Sequence, residues 1–226
     1  MRVNVDGIWY IINKADKVAE LCSNDESDYI EDDELDDSDD FDFEDGSYAI
    51  DGYFAVPAYI VFEGEEYRVN SIGRFAFCDC SRMLGIMLPN TIEYINEDAF
   101  NGCYSLEKIS IPDSVVYIDN FAFHTCIGLQ KIKFGCNLHD IGEYAFRGCS
   151  FSELVFPDSL KYLSEGAFEN CDKLKIVTLG GGLNLIGKLV FDHCDSLEQI
   201  RVPSSKHDYY MSIGLKKYEK LVVKYE

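Results

Sequence analysis

The sequence lacks a long hydrophobic run. No stretch of about 18 or more apolar residues occurs, which argues against a membrane-spanning helix. Residues 1–21 alternate polar and apolar side chains and lack the continuous apolar core of a signal peptide. As given, the chain is therefore expected to be cytoplasmic, without membrane insertion. A leader in a longer gene product would instead place it at the cell surface or outside the cell.

Basic residues are also scarce: 20 Lys and Arg stand against 41 Asp and Glu, for a net charge of −21. The segment from Asp25 to Asp45 holds 14 of the acidic residues and no basic one, so most of the net charge belongs to one run. Such a run buries too little apolar surface to order itself. Residues 23–46 are predicted to be a disordered acidic insertion, either regulatory or only solubilising.

Histidine is rare as well, with four in the chain, and none follows a nucleophile-elbow motif. A calcium loop is suggested by Asp40-x-Asp42-x-Glu44, but the glycine that such a loop needs at its sixth position stands at the seventh, as Gly46. No pair of groups for acid–base or nucleophilic catalysis stands out. The sequence therefore predicts no enzyme and no cofactor.

What the sequence does contain is a repeat. Six times an Ala-Phe or Val-Phe pair is followed, three residues after the Phe, by a cysteine, in steps of 23, 23, 23, 22 and 23 residues. A fixed period of this length indicates stacked coils, each burying its neighbour's apolar edge. The repeated residues are predicted to form two internal columns, a structural spine made of Phe77, Phe100, Phe123, Phe146, Phe168 and Phe191 and of Cys80, Cys103, Cys126, Cys149, Cys171 and Cys194.

Within one copy, Leu106-x-x-Ile109-x-Ile111 alternates as a short half-buried strand should, and Pro112 ends it. The Ala-Phe segment is interpreted as one helical turn with the Phe directed inward. The column cysteines are expected to be reduced structural thiols, because buried Cys behaves as a small hydrophobe. A zinc site from Cys78, Cys80, His124 and His193 is rejected, since these residues belong to coils too far apart.

These motifs resemble the BspA-like leucine-rich repeat family, a short bacterial repeat of about 23 residues. The matching positions are Ile72-Gly73, Ala99-Phe100-Asn101-Gly102-Cys103, Leu106, Ile109, Ile111-Pro112 and Ser114-Val115. Val190, in place of the usual Ala, is a local departure. The resemblance implies an α/β repeat fold: a right-handed, curved solenoid with one short parallel strand per repeat on its concave face. It also implies binding of other macromolecules, often from the cell surface, and not catalysis.

Three regions are predicted along the chain. Residues 1–71 form an N-terminal β-hairpin cap around the acidic insertion, with hairpins at residues 8–21 and 59–69. Six repeats occupy residues 72–204 and begin at 72, 95, 118, 141, 163 and 186. Residues 205–226 form a C-terminal cap, expected to contain a short helix and a last strand.

The side chains that point outward from the predicted strands form the candidate binding face. They carry four bases and one acid, so this face is mildly basic on an acidic protein. Gly85, Met87 and Ile176 share these outward positions. The candidate partner-binding residues are Lys108, Ser110, Lys131, Lys133, Glu153, Val155, Thr178, Gln199 and Arg201.

The function favoured by the sequence is a monomeric, non-enzymatic protein-interaction module that binds a protein partner through this concave face. Nucleic acid is not expected, because the basic patch is small and lies beside an acidic run. One alternative is an exported cell-surface adhesin for host or matrix macromolecules. Another, of a different class, is an accessory domain of a hydrolytic enzyme system.

Overall fold

The computed structural model describes residues 1–23 and 50–226. Apart from Ser23, the predicted acidic insertion 23–46 lies outside the described residues. So does the calcium-like motif from Asp40 to Gly46.

Each repeat contributes one strand of three to five residues, here called the long strand, and the long strands pair in parallel within two groups of three. The hydrophobic middle residue of each points inward: Ile109 and Leu154, for example, are buried between exposed neighbours. The long strands are β7 (Met83–Met87), β9 (Lys108–Ser110), β11 (Lys131–Lys133), β13 (Glu153–Val155), β15 (Ile176–Thr178) and β17 (Gln199–Pro203).

Two further strands extend this ladder at its ends. β4 (Gly52–Ala55) pairs with β7, and β18 (Val222–Tyr225) pairs with β17, both in parallel. The ladder is divided into two four-stranded sheets, β4-β7-β9-β11 and β13-β15-β17-β18. The division falls between β11 and β13, at the repeat that is one residue shorter than the others.

Five two-residue strands form a second parallel ladder, which the sequence did not predict, in addition to the one strand per repeat that it did. In each of these strands the second residue is buried and the first faces outward, as with Tyr94 and Ile95. The short strands pair in parallel from coil to coil. They are β8 (Tyr94–Ile95), β10 (Tyr117–Ile118), β12 (Asp140–Ile141), β14 (Tyr162–Leu163) and β16 (Leu185–Ile186).

Antiparallel strands precede the repeats. One set comprises β1 (Arg2–Val5), β2 (Ile8–Asn13) and β3 (Val18–Cys22), and the other β5 (Tyr59–Phe62) and β6 (Glu65–Ile72). β3 pairs in parallel with β6, whose far end pairs with the first short strand, β8. These strands and the short strands of the repeats thus form one continuous sheet.

The C-terminal segment packs on the last two repeats through Tyr210 and Tyr218, and the Tyr218 hydroxyl accepts a hydrogen bond from Phe191 N at 3.2 Å. It contains a 3-10 turn (Ser204–Lys206), helix α1 (His207–Ile213) and a 3-10 helix (Leu215–Leu221) that leads into β18. The Tyr210 hydroxyl donates a hydrogen bond to the carbonyl oxygen of Gly180 at 2.6 Å. Among the described residues, neither this helix nor any other is long and apolar enough to cross a bilayer.

The Ala-Phe segment is not the helical turn that the sequence suggested. Two residues of each copy, two positions before the Phe and one before the Cys, have φ between 53° and 77°, as do Phe121 and Thr125. A right-handed helix has negative φ throughout. The segment is instead a pair of tight turns whose amides reach the adjacent coil, as when Phe100 N donates to the carbonyl oxygen of Ala122 at 2.8 Å.

The six phenylalanines lie in one internal stack. Neighbouring ring centroids are 4.8–6.2 Å apart, and the rings of Phe123 and Phe146 are inclined by only 3°. All six rings and the six column cysteines are buried. All nine cysteines fall in the described part of the chain, and all are thiols.

Candidate binding face

We call the outward surface of β4, β7, β9, β11, β13, β15, β17 and β18 the long-strand face. Its two halves correspond to the two four-stranded sheets. Strand register fixes which side chains are neighbours, because residues paired across parallel strands emerge on the same side. The structure places all nine predicted partner-binding residues on this face, six of them exposed and three half-buried.

The N-terminal half of the long-strand face is basic. Lys108 lies beside Lys131, and Ser110 lies beside Lys133, with all four residues exposed. None of the three lysines forms an ion pair within residues 1–23 or 50–226. Like charges on neighbouring strands repel one another, so this half presents positive charge that a bound acidic group would neutralise.

Two large side chains border the lysines: Met87, which the sequence placed among the outward positions of this face, and Tyr53, which it did not identify. Tyr53 is 71% exposed and Met87 is 69% exposed. Tyr53 lies directly beside Gly85, and a Cβ atom added to that glycine would stand 2.8 Å from the tyrosine ring. The absence of a side chain at Gly85 therefore allows the ring to lie across the strand.

Together these residues line a groove of about 690 Å³. Its floor is the strand backbone with Ile109 and Ile132, and its walls carry Tyr53 and Met87 as well as the lysines. The unbranched thioether of Met adapts to differently shaped apolar partners. The groove thus offers an adaptable apolar surface next to three donors with positive charge.

The C-terminal half of the long-strand face is less charged. Glu153 lies beside Ile176, which lies beside Gln199. In the next row, Val155 is followed by Thr178 and Arg201. The Arg201 Nε donates a hydrogen bond to Gln199 Oε1 at 3.2 Å, so this guanidinium is held against its own strand.

The described residues that line the groove include three lysines, Ser110 and Tyr53, and no histidine, cysteine or carboxylate. No group of three or more His, Cys, Asp or Glu side chains arranged to hold a metal ion occurs in the described part of the chain.

The sequence matches the model of the BspA type leucine rich repeat region in six copies, over residues 61–150 and 93–213. A leucine-rich repeat protein from Bacteroides ovatus shares 29% identity and a TM-score of 0.71, over 88% of this chain and 46% of that one. The chain therefore spans about half of the length of that protein. A Treponema pallidum leucine-rich repeat protein gives a TM-score of 0.71 at 22% identity, over 95% and 98% of the two chains, which shows the fold alone.

No curated protein matches the chain. Leucine-rich repeat proteins generally act as protein-interaction modules and are generally not enzymes. The resemblance inferred from the repeat motif is confirmed, because the family match covers more than half of the sequence with the predicted number of copies. The chain belongs to the BspA-type leucine-rich repeat family.

Proposed function

We propose that the chain is a non-enzymatic protein-interaction module whose partner binds the long-strand face. In this proposal the stacked coils form a right-handed solenoid, the long-strand face is its concave surface, and the N-terminal strands act as a hairpin cap. We propose the same three regions that the sequence predicted: an N-terminal cap at residues 1–71, six repeats at residues 72–204 and a C-terminal cap at residues 205–226.

The observation that carries the proposal is the groove on the N-terminal half of the face. Three lysines without an acidic partner in the described residues surround a floor flanked by Tyr53 and Met87. Exposed aromatic and Met side chains are enriched at the energetically important centres of protein interfaces. Complementary charge accelerates association and selects among partners. The partner proposed is therefore a protein with an acidic segment that carries at least one apolar side chain.

Site-specific photocrosslinking tests where a partner binds. A benzophenone amino acid replaces Tyr53 in one variant and Tyr162, an exposed residue of short strand β14, in the control. Each variant is irradiated in lysate from the producing cell. A protein captured by the Tyr53 variant and not by the Tyr162 variant is the expected result. Equal capture by both positions would contradict binding at the groove.

Charge reversal then tests the lysines with the identified partner. The variant K108E/K131E/K133E should weaken binding by about tenfold or more, with the loss smaller at high salt. A matched control, K173E/K188E/K220E, changes the net charge equally at exposed positions away from the groove. Equal losses in the two variants would show that overall charge acts and that the groove does not.

A further inference from the structure

A β-bulge lies where the N-terminal strands join the repeats. The register between β3 and β6 shifts at this point: Ala19 pairs with Val69, but Glu20 pairs with Ser71. Asn70 is the extra residue. Bulges re-aim side chains and occur often beside binding sites. Here the bulge places Glu20, Ser71 and Tyr94 on adjacent strands of one surface.

The Glu20 carboxylate is held by neutral groups. Oε2 accepts hydrogen bonds from the Ser71 hydroxyl and the Asn96 amide, each at 2.9 Å. Desolvation by burial raises the pKa of Glu20, and these two hydrogen bonds only partly oppose that shift. Within residues 1–23 and 50–226, Glu20 has no cationic partner and Oε1 has no hydrogen-bond donor. The carboxylate therefore retains acceptor capacity and uncompensated charge.

These groups line a pocket of about 340 Å³, which we call the Glu20 pocket. Glu20, Asn70, Ser71 and Asn96 supply its polar wall, and the ring of Tyr94, which is 42% exposed, supplies another. The side-chain amide of Asn70 makes no hydrogen bond to any other described residue. The pocket thus combines one anion, amide acceptors and an aromatic surface.

We infer that the Glu20 pocket binds a primary ammonium group, as carried by a lysine side chain of a partner protein. An ammonium has three hydrogen-bond donors and no acceptor. It therefore suits a site whose carboxylate and amide oxygens can accept further hydrogen bonds. Its methylene stem can pack along an aromatic ring, and a cation over a tyrosine ring adds attraction. This site is on the short-strand side of the molecule, and it does not depend on the function proposed for the groove.

Other ligand chemistries fit the pocket less well. Calcium requires six to eight oxygen ligands and usually several carboxylates, whereas the pocket lining contains one carboxylate. A neutral sugar would leave the charge of Glu20 without a counterion. An acidic ligand would be repelled.

The test is a titration of the full chain with Nα-acetyl-lysine N-methylamide, followed by amide chemical shifts in two-dimensional NMR. Binding in the millimolar range is expected for one side chain, with shifts centred on Glu20, Ser71, Tyr94 and Asn96. The matching norleucine compound, which lacks the ammonium, should not bind. Shift changes confined to other surfaces would overturn the inference.

The variant Glu20→Gln isolates the charge. Glutamine accepts the same two hydrogen bonds, so the fold is retained, while affinity should fall about tenfold or more through loss of a charge-assisted hydrogen bond. Glu66→Gln is the matched control, an exposed glutamate on the neighbouring strand β6. Tyr94→Phe should keep affinity and Tyr94→Ala should lower it.

Three results would contradict the inference. Unchanged affinity in Glu20→Gln would show that the charge is not recognised. Equal binding of the norleucine compound would show that the ammonium is not needed. Binding of N-acetylglucosamine without binding of the lysine compound would assign the pocket to carbohydrate instead.

Discussion

Cys126 Sγ donates a hydrogen bond to the backbone carbonyl oxygen of Phe100, in the preceding coil, at 3.1 Å. The same carbonyl accepts Cys103 N within its own coil at 3.2 Å, and Phe100 N donates to Ala122 O of the next coil. Cysteines 103, 149, 171 and 194 make the equivalent sulfur contact at 3.1–3.4 Å. The repeated cysteine is therefore a small apolar residue that also joins consecutive coils.

Removing one of these thiols should destabilise the protein. Cys126→Ala deletes a buried sulfur and its hydrogen bond, so we expect a loss of about 1–2 kcal/mol in the free energy of unfolding. The control Cys136→Ala changes an exposed cysteine and should cost less than about 0.5 kcal/mol. Urea denaturation measures both. Equal losses would show that the buried sulfur contact adds nothing.

Thiol reactivity should follow burial. Burial raises the pKa of the thiols of Cys103, Cys126 and Cys149, which disfavours the reactive thiolate. In native protein, we expect an aromatic disulfide reagent to label the exposed Cys136 first, and Cys136→Ala to abolish this phase. After denaturation under non-oxidising conditions, nine thiols should titrate. Rapid native labelling of the column cysteines would contradict their protection.

The phenylalanine stack should be the main source of stability among the repeats. Phe123 lies 4.8 Å from Phe100 and 4.9 Å from Phe146 between ring centroids, and it is fully buried. Phe123→Ala leaves a cavity between two coils and should cost about 3–5 kcal/mol. The control Lys133→Ala, on the exposed side, should cost well under about 1 kcal/mol. Similar losses of thermal stability in both would mean that the assignment of inner and outer faces is inverted.

Replacing Thr125, a non-glycine residue with positive φ, should relieve backbone strain and stabilise the protein. Thr125 has φ of 54°, although β-branched residues rarely adopt this conformation, and Gly102 and Gly148 occupy the equivalent position in neighbouring coils. Relief of this strain in Thr125→Gly should stabilise the protein by about 0.5–1 kcal/mol. The net gain should be smaller, because the variant also loses the hydrogen bond from the Thr125 hydroxyl to Asn101. The reciprocal change Gly148→Ala should destabilise by about 1 kcal/mol, because the added Cβ has room but φ is 77°. Thermal unfolding of both variants tests the pair, and changes of the same sign would refute the strain.

One half-buried carboxylate should make stability depend on pH. Desolvation, followed by the charge of Glu97, raises the pKa of Asp98 to about 6, whereas an unfolded Asp titrates near 3.9. The native state therefore binds this proton more tightly than the unfolded state, and ionisation of Asp98 destabilises the fold as pH rises from about 4 to above 6. Asp98→Asn keeps a residue tolerant of φ 55° and removes the charge.

We expect Asp98→Asn to raise the unfolding free energy by about 1–2 kcal/mol at pH 7.5, a value reduced from the full linkage energy because the carboxylate is partly solvated. The gain should vanish below about pH 4, where the wild-type group is protonated in both states. Asp172→Asn, at an exposed position, is the control. Urea melts at the two pH values measure the difference. A gain that is equal at both would exclude ionisation as its cause.

Much of the fold could be predicted because each repeat presents the same residues at the same spacing. The strand at Leu106-x-x-Ile109-x-Ile111 was evident from alternation and from Pro112. The two-residue strands were not, because a pair such as Tyr94–Ile95 is too short for any periodicity to show. The Ala-Phe turns were misassigned because their amides bond to the next coil, about 23 residues away, which a local pattern does not reveal.

Some residues of the two candidate sites could also be predicted from the sequence, and others could not. Lysines on β9 and β11 were found because strand alternation alone decides which side chains point outward. Tyr53 was missed because β4 gains its place from a parallel pairing with β7, more than one repeat away. The Glu20 pocket was missed because it depends on a one-residue register shift at Asn70, and a single bulge leaves no signal in hydrophobic periodicity.

The boundary between the two four-stranded sheets interrupts strand pairing but not the packing of the core. Inside the molecule the aromatic stack runs unbroken across this boundary, with the ring centroid of Phe146 4.9 Å from that of Phe123 and 5.1 Å from that of Phe168. On the long-strand side, the described ladder stops at β11 and resumes at β13. Where this ladder is interrupted, the two halves of the long-strand face are joined by the stacked rings of Phe134 and Phe156, 5.3 Å apart, and by the hydrogen bond from Ser150 N to Leu129 O at 3.0 Å, so side-chain packing does there what strand pairing does between the other coils.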